Sequence, residues 1–264
     1  VDDGSSDGTR DWIQSNYPDI QVLHGDGNLW YSGAMNMGMK YAIETYDSDF
    51  IMIWENDTFP KDGYFDSLQK ILENWDGKTL ICSKLYYRHR PNRIFGMGGN
   101  FDRKSGKKKL IGRTEVDGPI YQKDLEVDWF LGIGVMLHKN IISDVGFLDE
   151  KNFPHYHADA DYSLRAAYKG YRNVVFHELM LLNDTETTGI THKREKTFKD
   201  FLDSLTSIKS SLNVRRNLLF YRRHTTSNLA YLSLLRIYSI YTASFFKWKV
   251  LSWFGIRKKA EKLN

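Results

Sequence analysis

Apolar runs of strand character alternate with segments of helical spacing through most of residues 20–183, and this rhythm limits the fold more than any other feature of the chain. IQVLHG at 20–25 reads as a strand, 32–46 as a helix, DFIMIW at 49–54 as a strand, and 64–75 as a helix with apolar positions three and four apart. TLICS at 79–83 reads as a further strand. After an excursion over 86–126, marked by the turn signals MGG, KSGKKK and DGP, VDWFLGIGVMLHK at 127–139 is strand-like. Short helices follow at 140–145 and at 160–169, the second closed by Gly170, and RNVVFHELMLL at 172–182 is the last strand. Strands alternating with helices predict an α/β fold: a Rossmann-like, mostly parallel sheet with flanking helices, continued by a helical C-terminal tail.

Composition separates that tail from the body. The 264 residues carry a formal net charge of +4, but residues 205–264 hold twelve Lys and Arg against one acid, Glu261. The tail is therefore +11 and residues 1–204 are −7. These proportions divide the chain into residues 1–195 and a basic, amphipathic helical tail at 196–264. Within the tail, LAYLSLLRIYSIYTASFFKWKVLSWF at 229–254 has the length of a membrane span, but Arg236, Lys247 and Lys249 inside it argue against one. Its aromatic residues, with Arg215, Arg216, Arg222, Arg223 and the basic run at 257–259, suit helices lying at an anionic membrane surface. The alternative is a helical hairpin packed on the body with a solvated basic face. No nucleic-acid recognition motif accompanies the charge, so no nucleic-acid partner is expected. The single cysteine, Cys82, excludes an internal disulfide, and with no secretory signal visible the expected location is cytoplasmic. The opening VDDGSSDGT reads as a strand end without its strand, which predicts an N-terminally truncated chain.

Two acidic segments carry the chemistry. DFIMIW runs into Glu55-Asn56-Asp57-Thr58 and Pro60, at a strand end where open α/β sheets bind ligands. One or two carboxylates there suit Mg²⁺ or Mn²⁺ with a substrate diphosphate completing the shell; an Asx-type turn closed by Pro60 is the plain alternative. The second segment is His155-Tyr156-His157-Ala158-Asp159-Ala160-Asp161. Asp159 suits a general base toward a hydroxyl, either Asp159 or Asp161 could instead cap the following helix, and the two-residue spacing from His155 to Asp161 would permit a metal cluster on an extended face. Gly33-Ala34-Met35-Asn36, read as opening a helix, could offer backbone N–H groups and Asn36 to phosphate or sugar oxygens, or be an ordinary packed cap. Trp30 and Trp129 could stack on a sugar or belong to the core.

Five motifs in order, VDDGSSDGT, GNLWYSGAMNMGMKYA, IMIWENDTFP, VDWFLGIGVMLHK with GFLDE, and HADADYSLRAAYKGY, resemble those of family 2 inverting glycosyltransferases, bacterial rhamnosyltransferase-type members in particular. The resemblance implies a GT-A fold over residues 1–195 and a nucleotide-sugar donor whose base or ribose is bound by Asp2, with Asp3; Trp30, Gly33, Asn36 and Asn56 are the further donor-binding candidates. It implies an acceptor region at Trp129 and Gly132, a divalent cation at Asp57, and a catalytic base at Asp159, with Asp161 its neighbour. Ala158 stands where such enzymes usually have Glu. A metal-contacting His often follows the last core strand; Asn183 aligns there, and His192 is the nearest candidate downstream. The activity implied is inverting sugar transfer, from a donor such as dTDP-rhamnose to a glycan or lipid-linked glycan hydroxyl, in polysaccharide synthesis at the inner face of the cell membrane. A nucleotidyltransferase and a non-catalytic carbohydrate- or membrane-binding module are the alternatives.

Overall fold

The computed structural model describes residues 1–184 and 197–253, and these divide into two compact units, 1–101 with 108–184 and 102–107 with 197–253. In the first unit, β3 (Thr79–Tyr87) is buried along nearly its whole length, as its apolar run TLIC predicts for a strand covered on both faces. Alternation sorts its side chains. Leu80, Cys82 and Tyr86 enter one apolar cluster with Met39, Ile141, Ile142, Val145 and Tyr162, whereas Ile81 and Leu85 enter another with Tyr64 and Leu68. One face of the sheet is thus covered by α2 (Trp30–Tyr46), α4 (Lys139–Val145) and α5 (Ala158–Tyr168), the other by α3 (Tyr64–Glu73). Cys82 is 1% exposed, and burial pushes its thiol far above the ordinary range.

The sheet runs β1 (Phe50–Ile53), β8 (Val135–His138), β3, β9 (Arg172–Asn183), β2 (Thr58–Pro60), with β4 (Arg90–Gly96) on β3 and β7 (Leu125–Val127) on β9. The α/β class stands, but the mostly parallel pairing does not. Among the described strands only β3 and β9 pair in parallel, from Thr79↔Arg172 to Tyr87↔Asn183, while β1–β8, β3–β8, β3–β4, β2–β9 and β7–β9 are antiparallel. The reason lies in the connections. A helical crossover turns β1, β3 and β9 the same way, whereas β8 is entered from the excursion with no helix before it and slots in reversed between β1 and β3. IQVLHG forms no strand of its own; it contributes one parallel bridge, Asp2↔His24. The excursion also contains β5 (Gly99–Asp102) and β6 (Lys107–Leu110), a two-stranded ribbon, and a 3₁₀ turn at Pro119–Tyr121. VDWFLGIGVMLHK is split between β7 and β8, because the Gly132–Gly134 stretch interrupts it with Gly134 at φ +62°.

In the second unit, α6 (Phe198–Thr206) opens with a capping box between Thr197 and Asp200, and α7 (Val214–His224) is capped by Asn213. Phe201 stacks on Tyr241 and Phe245 of α8 (Leu229–Trp253), at 5.5 and 4.6 Å between ring centres. Tyr221 donates to Gly106 O at 2.9 Å, which is why residues 102–107 belong to this unit. Whereas α6 and α7 are two-sided, α8 does not sort its apolar residues and its cations Arg236, Lys247 and Lys249 to opposite sides, and Leu229–Leu251 is by length and composition apolar enough to cross a membrane. The amphipathic expectation therefore fits α6 and α7 but not α8.

Candidate active site

The buried strand β1 delivers Trp54–Asp57 to the carboxyl end of the sheet. That turn is held from both sides: Thr58 N–H donates to Glu55 O at 3.2 Å, and Asp184 N–H donates to Asp57 O at 3.0 Å, beside the Thr58↔Asn183 pair of β2 and β9. The residues present fit a hard cation, since Asp57 Oδ1 is buried and accepts no hydrogen bond. Glu55 is half-buried, and its carboxyl is pushed up to about 7, first by desolvation and then by the negative charges of Asp57 and Asp159. Asn56, between them, is exposed. Thr58 Oγ1 is also buried with nothing bonded to it.

Asp159 comes from the first turn of α5, where its charge complements the helix dipole. It is half-buried, and Oδ1 accepts from Ala160 N–H at 2.7 Å. The loop before β8 passes close by: a Cβ placed on Gly132 would lie 3.4 Å from Asp159 Cβ and only 2.0 Å from the Tyr31 hydroxyl oxygen. Tyr31 Oη donates to Gly132 O at 2.8 Å. Burial, then the charges of Glu55 and Asp159, raise the Tyr31 phenol well above its ordinary range. Carboxylates from the β1–β2 turn and from α5 thus share one electrostatic site with the start of α2.

Asp161 has a different place. Fully buried, it accepts from Arg165 Nε at 2.8 Å, and Arg165 in turn donates to Val145 O at 2.7 Å and Phe147 O at 2.8 Å. The extended metal face from His155 to Asp161 does not form, because Ala158–Tyr168 is helical and residues two apart on a helix diverge by more than a right angle. Ala158 is 1% exposed.

At the donor side, Asp2 N–H donates to Leu23 O and Gly25 N–H to Asp2 O, at 2.8 and 2.9 Å. Hydrogen bonds from Ser5 hold the Asp2 carboxyl below the usual carboxylate range; Oδ2 accepts none, with Arg10 Nε 3.7 Å away. Asp3 is occupied by the backbone, accepting from Gly27, Leu29 and Trp30 N–H at 2.8, 2.9 and 3.1 Å. Its carboxylate caps α2, which explains why the helix begins at Trp30, itself at φ +55°, instead of at residue 32. The reading of Gly33 as a helix opening with a free N–H is corrected accordingly, since that N–H donates to Leu29 O at 3.0 Å. Asn36 is 2% exposed and clamps the chain after α4, donating to Leu148 O at 2.9 Å and Glu150 Oε2 at 2.8 Å and accepting from Leu148 N–H at 3.0 Å. Trp129 is 5% exposed, with Lys108 Nζ 4.2 Å above its ring and Nε1 directed to Asn100 O at 3.4 Å. His192 lies outside the described residues, and among those described no group of three His, Cys, Asp or Glu is arranged for a metal.

The acidic turn marks Glu55 in the sequence, whereas nothing there marks Tyr31 or Lys108; these two are known only from what the fold brings beside Asp159.

Layered helices about this sheet, with acidic groups gathered beyond the end of β1, define a GT-A glycosyltransferase fold. Over residues 1–123 the chain matches the family model described as Glycosyl transferase family 2. Among solved structures it is similar to GalNAc-T7, determined with UDP, GalNAc and Mn²⁺, at a TM-score of 0.52 and 11% identity, over 90% of this chain and 48% of that one. The chain thus spans about half the length of that relative. It is also similar to A197 from STIV, at a TM-score of 0.36 and 13% identity over 75% of this chain and 95% of that one, too loose a superposition to bear on the fold. No curated protein matches the chain at a significant level.

Proposed function

We propose that the protein transfers a sugar from a nucleotide-diphosphate donor to a hydroxyl of a glycan or lipid-linked glycan, with inversion at the anomeric carbon. The observation that supports this most is the convergence of Asp57 and Asp159, distant in sequence, on Glu55. Asp159 takes the proton of the acceptor hydroxyl; the freed oxygen bonds to the anomeric carbon as the bond to the diphosphate breaks on the opposite face. Tyr31 holds the Gly132 loop against that base. Asp57, with Glu55 beside it, would hold Mg²⁺ or Mn²⁺, which when bound neutralises charge on the departing diphosphate. Asp2, whose Oδ2 accepts no hydrogen bond, is available to the nucleoside.

The test is transfer measured as nucleoside diphosphate release with Mn²⁺, using dTDP-rhamnose, which the motifs suggest, and UDP-GalNAc, on which the GalNAc-T7 likeness bears. Product stereochemistry from the anomeric proton coupling tests inversion. Release of pyrophosphate would instead mark a nucleotidyltransferase, and full activity in both Asp57→Asn and Asp159→Asn would overturn the assigned roles. For the second unit we propose attachment to an anionic membrane surface on the cytoplasmic side through α8, whose Leu232, Leu235, Ile240 and Phe246 are all more than half exposed. Equal sedimentation with anionic and neutral vesicles, or with neither, would refute it.

A further inference from the structure

The excursion between β3 and β7 contains a cavity of about 540 Å³ whose lining includes the apolar Met97, Leu110, Ile111 and Leu125. Three cations, Lys109, Arg113 and Lys123, line it. All three are exposed, and within the described residues none of their side chains has an ion pair or hydrogen bond. Residues 1–204 carry a net −7, and Lys84, Arg88, Lys139, Arg165, Lys169 and Arg172 are each matched to a carboxylate. Glu115, the acid in the lining, is engaged by the Tyr121 hydroxyl.

The cavity is also pre-organised. Fully buried Lys84 donates to Asp117 Oδ1 at 2.7 Å and to Tyr121 O at 2.9 Å, and Tyr86 donates to Asp117 Oδ2 at 2.5 Å, so the wall carrying Tyr121 is fixed to the central strand. Met97 N–H to Ile111 O, and Ile111 N–H to Gly98 O, lock the opposite side. It adjoins the transfer site. Lys108 and Lys109 are neighbours on β6 and point to opposite faces: Lys108 over Trp129 and within the field of Asp159, Lys109 into the cavity. Asn100, another lining residue, receives Trp129 Nε1.

We propose that this cavity is an acceptor subsite for a negatively charged sugar, a glycan unit bearing a carboxylate or phosphate, one or more residues from the hydroxyl that is glycosylated. The inference rests on the transferase reading for its role, but not for its existence. Unpaired cations beside apolar side chains suit an acidic pyranose: Lys109, Arg113 and Lys123 meet the anion, and Leu110 and Ile111 meet the ring.

The test is calorimetric titration of the full chain with trigalacturonate, with oligomeric glycerol phosphate, and with neutral maltotriose. One or both anions should bind, more weakly at high salt, with maltotriose at least about tenfold weaker. Which anion binds better separates carboxylate from phosphate as the natural group. The triple variant Lys109→Gln, Arg113→Gln, Lys123→Gln should lose about tenfold or more in anion affinity at an unchanged melting temperature, and Lys109→Arg, Arg113→Lys, Lys123→Arg should restore most of it. Equal affinity of the triple variant, equal affinity for maltotriose, or tighter binding of an oligonucleotide of matched charge would each overturn the proposal. A chain that binds the anions but transfers no sugar would sink the transferase reading and leave the anion site standing; a chain that transfers equally to charged and neutral acceptors would do the reverse.

Discussion

The turn after β1 and the start of α5 each carry two carboxylates two residues apart, and the backbone disposes of them in opposite ways. In the turn, Glu55 and Asp57 act on one another and on a common site. On the helix, Asp159 faces that site while Asp161 is sealed against Arg165. Equal spacing therefore has no chemical meaning until the period of the local backbone is known: acids two apart diverge on a helix but stay together where a turn folds them. Substitutions can separate the two Asp residues of α5, one chemical and one architectural, and can ask whether the turn behaves as a single unit.

The largest effect expected is for Asp159→Asn, a loss of about 10³-fold in transfer rate with little change in melting temperature, measured by nucleoside diphosphate release. Next, Asp161→Asn should cost about 3 kcal/mol of stability in denaturant titration, because it strips the charge from a buried ion pair, while the folded fraction keeps its turnover. Equal kinetic damage in the two variants would erase the distinction drawn here. Asp57→Asn should lower transfer by about 10²-fold and abolish any Mn²⁺-induced rise in melting temperature.

The turn also makes a pH prediction. Glu55 titrates near 7 in the folded chain against an ordinary 4.5, so the folded state holds its proton more tightly than the unfolded state. Its contribution is fully present below pH 4.5, is lost as pH rises from 4.5 to 7, and is absent above that. Glu55→Gln should flatten this fall and raise stability above pH 7 by on the order of 2 kcal/mol. An unchanged pH profile would mean that the carboxylates of the turn are not coupled.

Much of this was legible from residue order. FIMI before an acidic turn, the helix closed by Gly170, and the two distant carboxylates were readable because each depends on local periodicity or on a short motif. What escaped depends on partners far along the chain. The start of α2 at Trp30 is set by Asp3, which no nearby cap announces. The reversed direction of β8 follows from how the chain leaves the excursion, and its apolar pattern is the same in either direction. Gly33 and Asn36 looked like ligand contacts because small and polar residues at a helix start resemble a phosphate cradle; Asn36 instead fastens Leu148. Tyr31 becomes significant only once Gly132 is folded against it.

Cys82, sealed in the central strand with its thiol held protonated, has a practical side. The chain brings no competing sulfur to an alkylating reagent while it stays folded. A cysteine introduced at an exposed position, Lys123 for example, becomes a unique chemical handle, and a fluorescent or spin reporter can be installed there without first removing a native one.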